Sequence, residues 1–410
     1  MTQDILIIGG GPSGLSTALH LAQIAPQLTD RILILEKAHH PRPKLCAGAL
    51  TVDAELILQR LGLDVSEVPH VDASAAHFDF AGKGLTIALP GTHTLRIVRR
   101  NEFDAWLAKK IQSKGMEIRE GITVRKVRSH DEGVIVETDQ GILTAQIVVG
   151  ADGSNGITRR CILPGDSIHT ARVLEVITRE YDGIAGEAKQ SSFNPRVPGR
   201  AEDLSRNDRH QAGVAYFDFF PVPDGIAGYT WDFPTQVNGE PMRCWGIYDT
   251  NVLADKPRPA LKEPLAAEMT RQGFDLSQCE IQGHPIRWFN PFSQFSVPHV
   301  LLVGDAAGVD GVFGEGISMA LGYGALAAEA IRAACMRNDF SFRDYRRRIL
   351  LSSLGQTLTI RTAITYILYH LHWAWFQKFF WRVSKSIVAA VSFVLILNWA
   401  KRLRPKPVRI

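Results

Sequence analysis

The feature that constrains this chain most is a glycine triplet, Gly9-x-Gly11-x-x-Gly14, set between a short apolar run and a stretch with helical spacing. The apolar run 5–8 predicts a buried parallel strand, and the small and apolar residues of 15–22 predict the helix that follows. In such a unit the first glycine permits a tight turn, the second lets the backbone approach a pyrophosphate, and the third lets the helix pack on the strand. The sequence therefore predicts a dinucleotide site at the start of the chain.

An acidic residue strengthens this interpretation. Glu36 ends a second predicted strand, 31–36, about 20 residues beyond the triplet, where it is placed to accept hydrogen bonds from ribose hydroxyls. The free N–H groups at the predicted helix N-terminus favour phosphate. A glycine turn without a ligand is the alternative, but strand, turn, helix and strand within about 30 residues favour a βαβ unit.

Composition narrows the class of protein. The 410 residues are 45% hydrophobic and 21% charged, which is typical of a globular chain. The net charge of +4 is too small an excess to indicate a nucleic-acid partner. The five cysteines show no CxxC spacing, so neither a metal site nor a disulfide framework is expected. No secretory pattern precedes the first strand, and the folded part is expected on the cytoplasmic side.

Two further acidic residues lie on turns after apolar strands. Asp152 follows the run IVVGA and Asp305 follows the run VLLVG, each before small residues. Either acid alone could cap a turn. Together with the N-terminal unit, they resemble the two-motif signature of FAD enzymes of the p-hydroxybenzoate hydroxylase fold. The resemblance implies FAD as the cofactor, with Asp305 at its ribityl–pyrophosphate region and Asp152 in a segment linked to pyrophosphate and pyridine-nucleotide contacts.

The same resemblance implies further FAD contacts. Arg100, in an R-x-x-F-D string, matches the FAD-contacting arginine of these enzymes, with a surface charge as the alternative. Val124 matches the position whose backbone meets the adenine. Gly316 and Ile317, at the start of a predicted helix, would place backbone N–H groups at the O2 edge of the flavin ring, where such donors stabilise negative charge.

Three short strings narrow the resemblance. Residues 44–50 read K-x-C-x-G-x-L, residues 229–234 read Y-x-W-x-F-P, and residues 314–317 read G-E-G-I. Together they resemble the geranylgeranyl reductase family, FAD enzymes of lipid metabolism that saturate isoprenoid double bonds, over most of the chain before its C-terminal region. The resemblance implies hydride transfer from reduced flavin to one alkene carbon and a proton to the other. NADPH and ferredoxin both remain open as the electron donor.

The first string supplies the candidate catalytic residue. The resemblance makes Cys46, Ala47 and Ala49 FAD-contacting positions, and Cys46 is the candidate proton donor, with a small buried side chain as the alternative. Two residues depart from the family's pattern. Ala47 stands where a glycine is common, which we expect to tighten the flavin loop. Gly311 stands where a proline is frequent, which we expect to loosen the turn 309–313.

The Y-x-W-x-F-P string predicts the substrate site. Tyr229, Trp231 and Phe233 alternate along one predicted strand, so they share a face, and Pro234 is predicted to end that strand. Three aromatic rings on one face form an apolar wall suited to a long isoprenoid chain. Plain core packing of a sheet is the alternative.

Two other functions compete with the reductase. A flavin monooxygenase of the same fold, hydroxylating an aromatic or lipid substrate, would be favoured by a P-x-x-G-Q-G-x-N run after Asp305. This chain has V-F-G-E-G-I-S in that region. A non-catalytic flavoprotein docked on a membrane is the second alternative, and the intact cofactor motifs argue against it.

The predicted fold is α/β, α+β overall. A Rossmann-like FAD-binding domain carries an inserted antiparallel β-sheet substrate domain and a helical C-terminal region. We assign the FAD-binding domain to residues 1–70, 95–165 and 285–345, and the substrate domain to residues 71–94 and 166–284. These boundaries follow the alternation of strand-like and helix-like segments.

Residues 346–410 form the helical C-terminal region. Its two uncharged stretches, 362–377 and 386–400, are shorter than the roughly 20 residues that span a bilayer as a helix. Aromatic residues mixed with Lys and Arg lie between them, and basic residues crowd the chain end, as in interfacial segments. We predict peripheral membrane association. Helices packed on the core, an oligomer contact and a true span are the alternatives.

Overall fold

The computed structural model describes residues 2–80, 82–89, 91–166, 170–180, 213–253, 259–384 and 398–403. Its strands are β1 (Thr2–Ile8), β2 (Ile32–Glu36), β3 (Ala49–Leu50), β4 (His70–Ala73), β5 (Ala75–Phe80), β6 (Lys83–Ala88), β7 (Leu95–Val98), β8 (Glu117–Glu120), β9 (Val124–His130), β10 (Gly133–Thr138), β11 (Gly141–Gly150), β12 (Thr170–Arg179), β13 (Val214–Asp218), β14 (Gly228–Val237), β15 (Glu240–Asp249), β16 (Gln282–Arg287), β17 (Ser296–Val297) and β18 (Val300–Leu302). Its helices are α1 (Pro12–Ile24), α2 (Val52–Arg60), α3 (Arg100–Gln112), α4 (Ile157–Ile162), α5 (Lys262–Arg271), α6 (Ile317–Arg337), α7 (Tyr345–Leu351), α8 (Ser353–His370), α9 (Ala374–Lys378) and α10 (Trp399–Arg402).

The first sheet contains the predicted dinucleotide unit. Its strands run in the order β17-β18-β11-β1-β2-β8, and β1 lies parallel to both β2 and β11. Strands β10 and β9 continue from β11 as antiparallel neighbours. Every side chain of β2 is buried, as expected for a parallel strand that is covered on both faces. The Rossmann-like prediction is confirmed.

Helices α1 and α6 cover one face of this sheet and lie against each other. A Cβ at Gly324 of α6 would lie 2.4 Å from Ser16 Oγ of α1, so the glycine permits the close approach. On the other face, valines of β9 and β10 pack with Leu6 and Leu33. The carboxyl ends of β1 and β2 are thereby left at an open edge, where parallel α/β sheets bind ligands.

The second sheet runs in the order β16-β12-β15-β14-β13-β5-β6. Its pairs are antiparallel except for β13 and β5, which lie parallel. Strands β5 and β6 lie within the segment 71–94, and β16 crosses the predicted boundary between residues 284 and 285. A small third sheet, β3-β7-β4, is formed by strands that precede β5 and follow β6 in the chain. The inserted sheet is therefore antiparallel with one parallel pair.

Pro234 does not end its strand, contrary to the prediction. Strand β14 continues to Val237, and Pro234 lies opposite Arg243 of β15. On its other side, the pairing of β14 with β13 covers Thr230 to Asp232 and stops before Pro234 within the described residues. A proline without an N–H is tolerated where one flank of a strand has no ladder partner, so the strand runs on.

The C-terminal region is helical where the structure describes it. Helix α9 is followed by a π-helical turn, Phe379–Val383, and α8 packs on the core through side chains that include Arg361 and Tyr369. Within the described ranges, no helix has the length and apolar character needed to cross a membrane. Most of the second uncharged stretch and residues 404–410 of the basic end lie outside the described residues.

Candidate functional site

The glycine triplet forms the turn between β1 and α1, as predicted. Gly9 has a φ of +115°, and a Cβ there would lie 2.4 Å from the carbonyl oxygen of Ala151. A Cβ at Gly14 would lie 2.1 Å from the carbonyl oxygen of Gly9, so only glycine lets α1 pack this closely. Gly11 precedes α1 without a side-chain cap, which leaves N–H groups of the first turn beside the cavity that Gly11 and Pro12 line.

Glu36 is held in place by the turn it faces. Its Oε2 accepts a hydrogen bond from the Gly10 N–H at 2.8 Å, and its Oε1 accepts one from the Ala38 N–H at 3.1 Å. Arg42 Nε lies 3.3 Å from Glu36 Oε2, and Arg42 Nη2 lies 3.3 Å from Asp104 Oδ2. The carboxylate is therefore fixed in the cavity wall. Sequence reasoning missed Arg42, because nothing in its local sequence marks it.

A cavity of about 1230 Å³ brings most of the predicted residues together. It exceeds the roughly 300–1,000 Å³ of common ligand sites, so it has room for a large cofactor and a further ligand. The predicted cofactor residues in its wall are Gly9, Gly11, Glu36, Cys46, Ala47, Ala49, Arg100, Val124, Asp152, Asp305, Gly316 and Ile317. The predicted substrate residues in its wall are Tyr229, Trp231 and Phe233. Gly14 and Pro234 are not among the described residues that line it.

The turns that carry Asp152 and Asp305 both line the cavity, and each carboxylate also accepts a hydrogen bond from another residue of the protein. Asp152 Oδ2 accepts hydrogen bonds from the Thr158 N–H at 2.8 Å and from Thr158 Oγ1 at 3.0 Å, which fastens the start of α4. Burial raises the pKa of Asp152, against the lowering effect of the Thr158 hydrogen bonds. Asp305 Oδ2 accepts a hydrogen bond from Ser154 Oγ at 3.3 Å. Asp152 therefore caps the start of α4 and also lines the cavity.

Arg100 is buried at the start of α3, so the surface-charge alternative is wrong. Its Nε and Nη2 donate hydrogen bonds to the two oxygens of Asp104 at 2.8 and 2.9 Å. Burial lowers the pKa of Arg100, but the Asp104 carboxylate more than offsets this effect and the pKa lies above its ordinary value. The guanidinium is therefore a fixed positive charge in the cavity wall.

The aromatic residues of the second sheet form another part of the wall. The ring centroids of Tyr229 and Trp231 lie 6.3 Å apart, and those of Trp231 and Phe233 lie 6.4 Å apart, which confirms their shared face. Phe217 of β13 joins them, at 5.3 Å from Tyr229 and 5.0 Å from Phe233. These four rings pack on one another and also line the cavity.

The turn 309–313 is firmly held, contrary to the expectation that Gly311 loosens it. Three tyrosine hydroxyls donate to its carbonyl oxygens, Tyr248 to Gly311 at 3.1 Å, Tyr369 to Val312 at 3.0 Å, and Tyr229 to Phe313. The Asp310 carboxylate accepts the N–H groups of residues 312 and 313 at 2.8 and 3.1 Å. Hydrogen bonds from β14, β15 and α8 thus supply the rigidity that a proline would give.

A buried ion cluster joins α8 to this turn. Arg361 Nη1 lies 3.0 Å from Asp310 Oδ2 and 2.5 Å from Glu315 Oε2. Burial raises the pKa of Asp310, whereas at Glu315 the effect of burial is offset by the Arg361 charge together with hydrogen bonds from Ser318, Arg361 and Thr51, so the pKa lies below its ordinary value. Thr51 Oγ1 donates to Glu315 Oε1 at 2.9 Å. Sequence reasoning missed Arg361, because its partners lie 51 and 46 residues away in the chain.

The candidate catalytic residue Cys46 is half-buried in the loop before β3. Its Sγ accepts a hydrogen bond from the Gly48 N–H at 3.4 Å. Gly48 has a φ of +79°, and a Cβ there would lie 1.9 Å from the carbonyl oxygen of Val98. The glycine of the K-x-C-x-G-x-L string is therefore required for the loop to lie against β7, while Ala47 and Ala49 pack with the aromatic cluster.

Lys44 and His284 form a polar pair in the cavity wall that the sequence did not indicate. Lys44 Nζ lies 2.5 Å from His284 Nε2, and both residues line the cavity. Burial, and after it the Lys44 charge, lowers the pKa of His284 to about 4, and burial also lowers the pKa of Lys44. The imidazole is therefore neutral at pH 7 and accepts a hydrogen bond from the amine of Lys44.

The family match agrees with this geometry. Residues 2–189 match the family described as FAD binding domain. The matched range contains the glycine turn, Glu36, Arg100 and Asp152. The N-terminal part of the chain is therefore an FAD-binding domain, as found in FAD-dependent oxidoreductases.

Relatives of this oxidoreductase cover most of its length. An uncharacterised protein of Methanosarcina barkeri is 27% identical over 348 residues, which cover 84% of this chain and 78% of the relative. A menaquinone reductase of Mycolicibacterium smegmatis is 27% identical over 347 residues, which cover 80% of this chain and 75% of the relative.

Solved structures share the fold. A geranylgeranyl bacteriochlorophyll reductase-like protein from Thermoplasma acidophilum superposes with a TM-score of 0.70 at 18% identity, over 97% of this chain and 92% of that one. A flavin-dependent brominase superposes with a TM-score of 0.68 at 17% identity, over 98% of this chain and 95% of that one. The two scores are close, so the fold by itself does not select the chemistry.

The residues of the oxidoreductase fit FAD. The starts of α1 and α6 both lie at the cavity without a side-chain cap, which suits phosphate and the flavin O2 edge. A Cβ at Gly11 would meet only Arg42 Nη2, at 3.5 Å, so the backbone there is open to a close ligand. Arg100 adds a fixed positive charge to the same cavity wall, which suits an anionic dinucleotide.

Proposed function

We propose that the oxidoreductase saturates carbon–carbon double bonds of an isoprenoid substrate. The observation that carries this proposal is the position of Tyr229, Trp231 and Phe233 in the wall of the same cavity that the predicted FAD-contacting residues line. An apolar wall of aromatic rings suits a long hydrocarbon and offers it few polar partners. When bound and reduced, FAD supplies the hydride for such a reaction.

The protein's own contribution is to orient the substrate and to exclude water. An isolated alkene is a poor electrophile, so productive contact depends on a fixed position in a dry site. The tyrosine-held turn 309–313 shapes this site, because Phe313 lies in the cavity wall with the aromatic rings. The names of two similar proteins, a geranylgeranyl reductase-like protein and a menaquinone reductase, also support a reductase with a lipid-soluble substrate.

Anaerobic turnover tests the proposal. Protein purified in detergent is reduced with dithionite and mixed with geranylgeranyl diphosphate, and the products are separated by mass. A product heavier by one or more pairs of hydrogen atoms, formed without oxygen, supports saturation. A hydroxylated product that forms only after oxygen is admitted would instead support the monooxygenase.

The proposed electron donor is NADPH or ferredoxin. Each is added in turn to the oxidised protein under anaerobic conditions, and loss of the flavin absorption is followed. The physiological class of donor bleaches the flavin on the time scale of turnover. Failure of both donors to bleach it, in protein that dithionite reduces, would reject both.

We also propose that the protein is a peripheral membrane protein of the cytoplasmic side, since its substrate is lipid-soluble. Trp373, Trp375, Phe379 and Val383 are all exposed on α9 and the segments beside it, with the exposed Lys378 among them. Exposed aromatic side chains with a cation are typical of an interfacial segment. Vesicles containing anionic lipid should retain the wild type and lose the double variant Trp373→Ser, Trp375→Ser. Equal retention of both proteins would reject this surface.

A further inference from the structure

The cavity wall contains a buried carboxyl that belongs to neither the glycine turn nor the ion cluster of Arg361. Glu175 of β12 is only 5% exposed and lines the cavity. In the second sheet it lies opposite Gly246 of β15. A Cβ at Gly246 would lie 2.1 Å from Trp231 Cζ2, so the indole of Trp231 lies over this glycine. The carboxyl of Glu175 is therefore a neighbour of the aromatic wall.

The hydrogen bonding of Glu175 favours the neutral acid. Its Oε2 is buried and has no hydrogen-bond partner among the described residues. An ionised carboxylate is disfavoured when one of its buried oxygens lacks a hydrogen-bond donor among the described residues, because burial penalises the charged form. A protonated carboxyl avoids this penalty and holds a proton at the wall of an apolar cavity.

The groups around Glu175 act against burial but do not overcome it. Burial raises the pKa of Glu175 to about 7, although Arg99, the backbone N–H of Cys46, the thiol of Cys244 and the charge of Arg100 each lower it. Lys44 and His284 line the same cavity. Because the pKa of Glu175 is about 7, a large fraction of this residue is protonated at neutral pH, and a small rise in pH converts it to the carboxylate.

We propose that Glu175 is the residue that donates the proton to the substrate double bond, an inference that rests on the proposed reductase function. Three bonds would break: the π bond of the alkene, the O–H bond of Glu175, and the bond that holds the hydride on reduced FAD. Two C–H bonds form, one with this proton and one with the hydride from reduced FAD. The substrate gains two electrons, which the cofactor loses, and the Glu175 carboxylate recovers a proton from water.

The other polar groups of the wall are less suited to this step. His284 is neutral at pH 7, since its pKa lies at about 4, and so it has no extra proton to give. Lys44 is engaged with His284 at 2.5 Å. Cys46 was the candidate from the sequence, and its backbone N–H lowers the pKa of Glu175, so the cysteine loop lies beside this carboxyl.

An infrared titration tests the protonation of Glu175 without substrate. The FAD-loaded wild type is compared with Glu175→Gln, and the difference between their spectra isolates the carboxyl of this residue from other buried acids. We expect a protonated-carboxyl band in the difference at low pH that disappears as the pH rises through about 7. A difference spectrum with no such band above pH 5 would overturn the proposal.

Anaerobic single turnover with geranylgeranyl diphosphate tests the proton transfer. Glu175→Gln should keep its flavin content and flavin spectrum but lose saturation by about 100-fold or more, and Glu175→Asp should recover part of the rate. The wild-type rate should fall as the pH rises through about 7, because the protonated form is the donor.

Glu268→Gln is the matched control, because Glu268 is equally buried at 5% exposure, pairs with Arg271, and is not among the described residues of the cavity wall. It should saturate the substrate at the wild-type rate. If the wild type works and Glu175→Gln works equally fast, Glu175 is not the donor and the reductase proposal stands. If the wild type itself yields no saturated product, both proposals are rejected.

Discussion

The two halves of the cavity are built in different ways. The cofactor half, around Gly9, Gly11 and the starts of α1 and α6, presents backbone to the cavity, and Gly9 must be a glycine because a Cβ there would collide with the carbonyl oxygen of Ala151. The substrate half, around Tyr229 and Trp231, is made of side chains that come from several strands. A site made of backbone atoms tolerates few substitutions and therefore keeps the same ligand. A wall made of side chains can be substituted, so the ligand that it binds can change without loss of the fold.

Arg361→Met should have the largest effect, because it breaks the junction between the halves. Removal of the arginine leaves Asp310 and Glu315 as buried charges without their partner, which costs about 3–5 kcal/mol in the free energy of unfolding. Chemical denaturation measures the loss. Arg348→Met is the control, since its surface pair with Asp344 contributes about 0.5 kcal/mol or less. Equal losses in the two variants would show that the cluster does not join the halves.

Gly14→Ala should damage the cofactor half selectively. The added methyl would lie 2.1 Å from the carbonyl oxygen of Gly9, so α1 must shift away from the turn, at a cost of about 1–3 kcal/mol. Flavin content after purification should fall steeply. At Gly283 an added methyl would lie 3.4 Å from its nearest neighbour, so Gly283→Ala should keep its flavin. A fully flavin-loaded Gly14→Ala protein would contradict the backbone origin of this half.

Trp231→Phe should affect the substrate half alone. The smaller ring loses part of the aromatic contact with the substrate, worth about 1 kcal/mol, so KM for geranylgeranyl diphosphate should rise several-fold. Flavin content and spectrum should stay as in the wild type. Phe292→Leu is the control, because Phe292 is 86% exposed. An altered flavin content with an unchanged KM would reverse the assignment of the two halves.

Tyr369→Phe should have the smallest effect, because it removes a single hydrogen bond to the turn 309–313. The lost bond from the hydroxyl to the Val312 carbonyl oxygen costs about 1 kcal/mol, measured as a lower melting temperature. Tyr366→Phe on the same helix, with a 44% exposed ring, should change stability by less than about 0.5 kcal/mol. Equal melting temperatures for Tyr369→Phe and wild type would show that the Tyr369 hydroxyl does not stabilise the turn.

The sequence predicted the glycine turn and its βαβ unit well, because their requirements are local. A glycine triplet, a strand on each side and Glu36 follow one another within the first 36 residues, so their spacing alone indicates the turn. The shared face of Tyr229, Trp231 and Phe233 was also predictable, since it follows from the period of a strand. The three aromatic residues and two glycines of the triplet, Gly9 and Gly11, therefore line the same cavity, as expected.

The sequence failed where distant elements decide the outcome. Pro234 stays within its strand because of where β13 ends, and the turn at Gly311 is rigid because tyrosines of three other elements reach it. Arg361 and Glu175 carry no local motif, and only the packing of α8 and β12 brings them to the cavity. Long-range partners of this kind leave no trace in residue spacing.

The central claim is that an isoprenoid double bond lies against the flavin in this cavity. Its most direct test is stopped-flow mixing of dithionite-reduced protein with geranylgeranyl diphosphate in the absence of oxygen, with the flavin absorption as the signal. We predict that the oxidised flavin spectrum returns in step with the appearance of a saturated product. A flavin that stays reduced until oxygen is admitted, in wild-type protein with full flavin content, would contradict the claim.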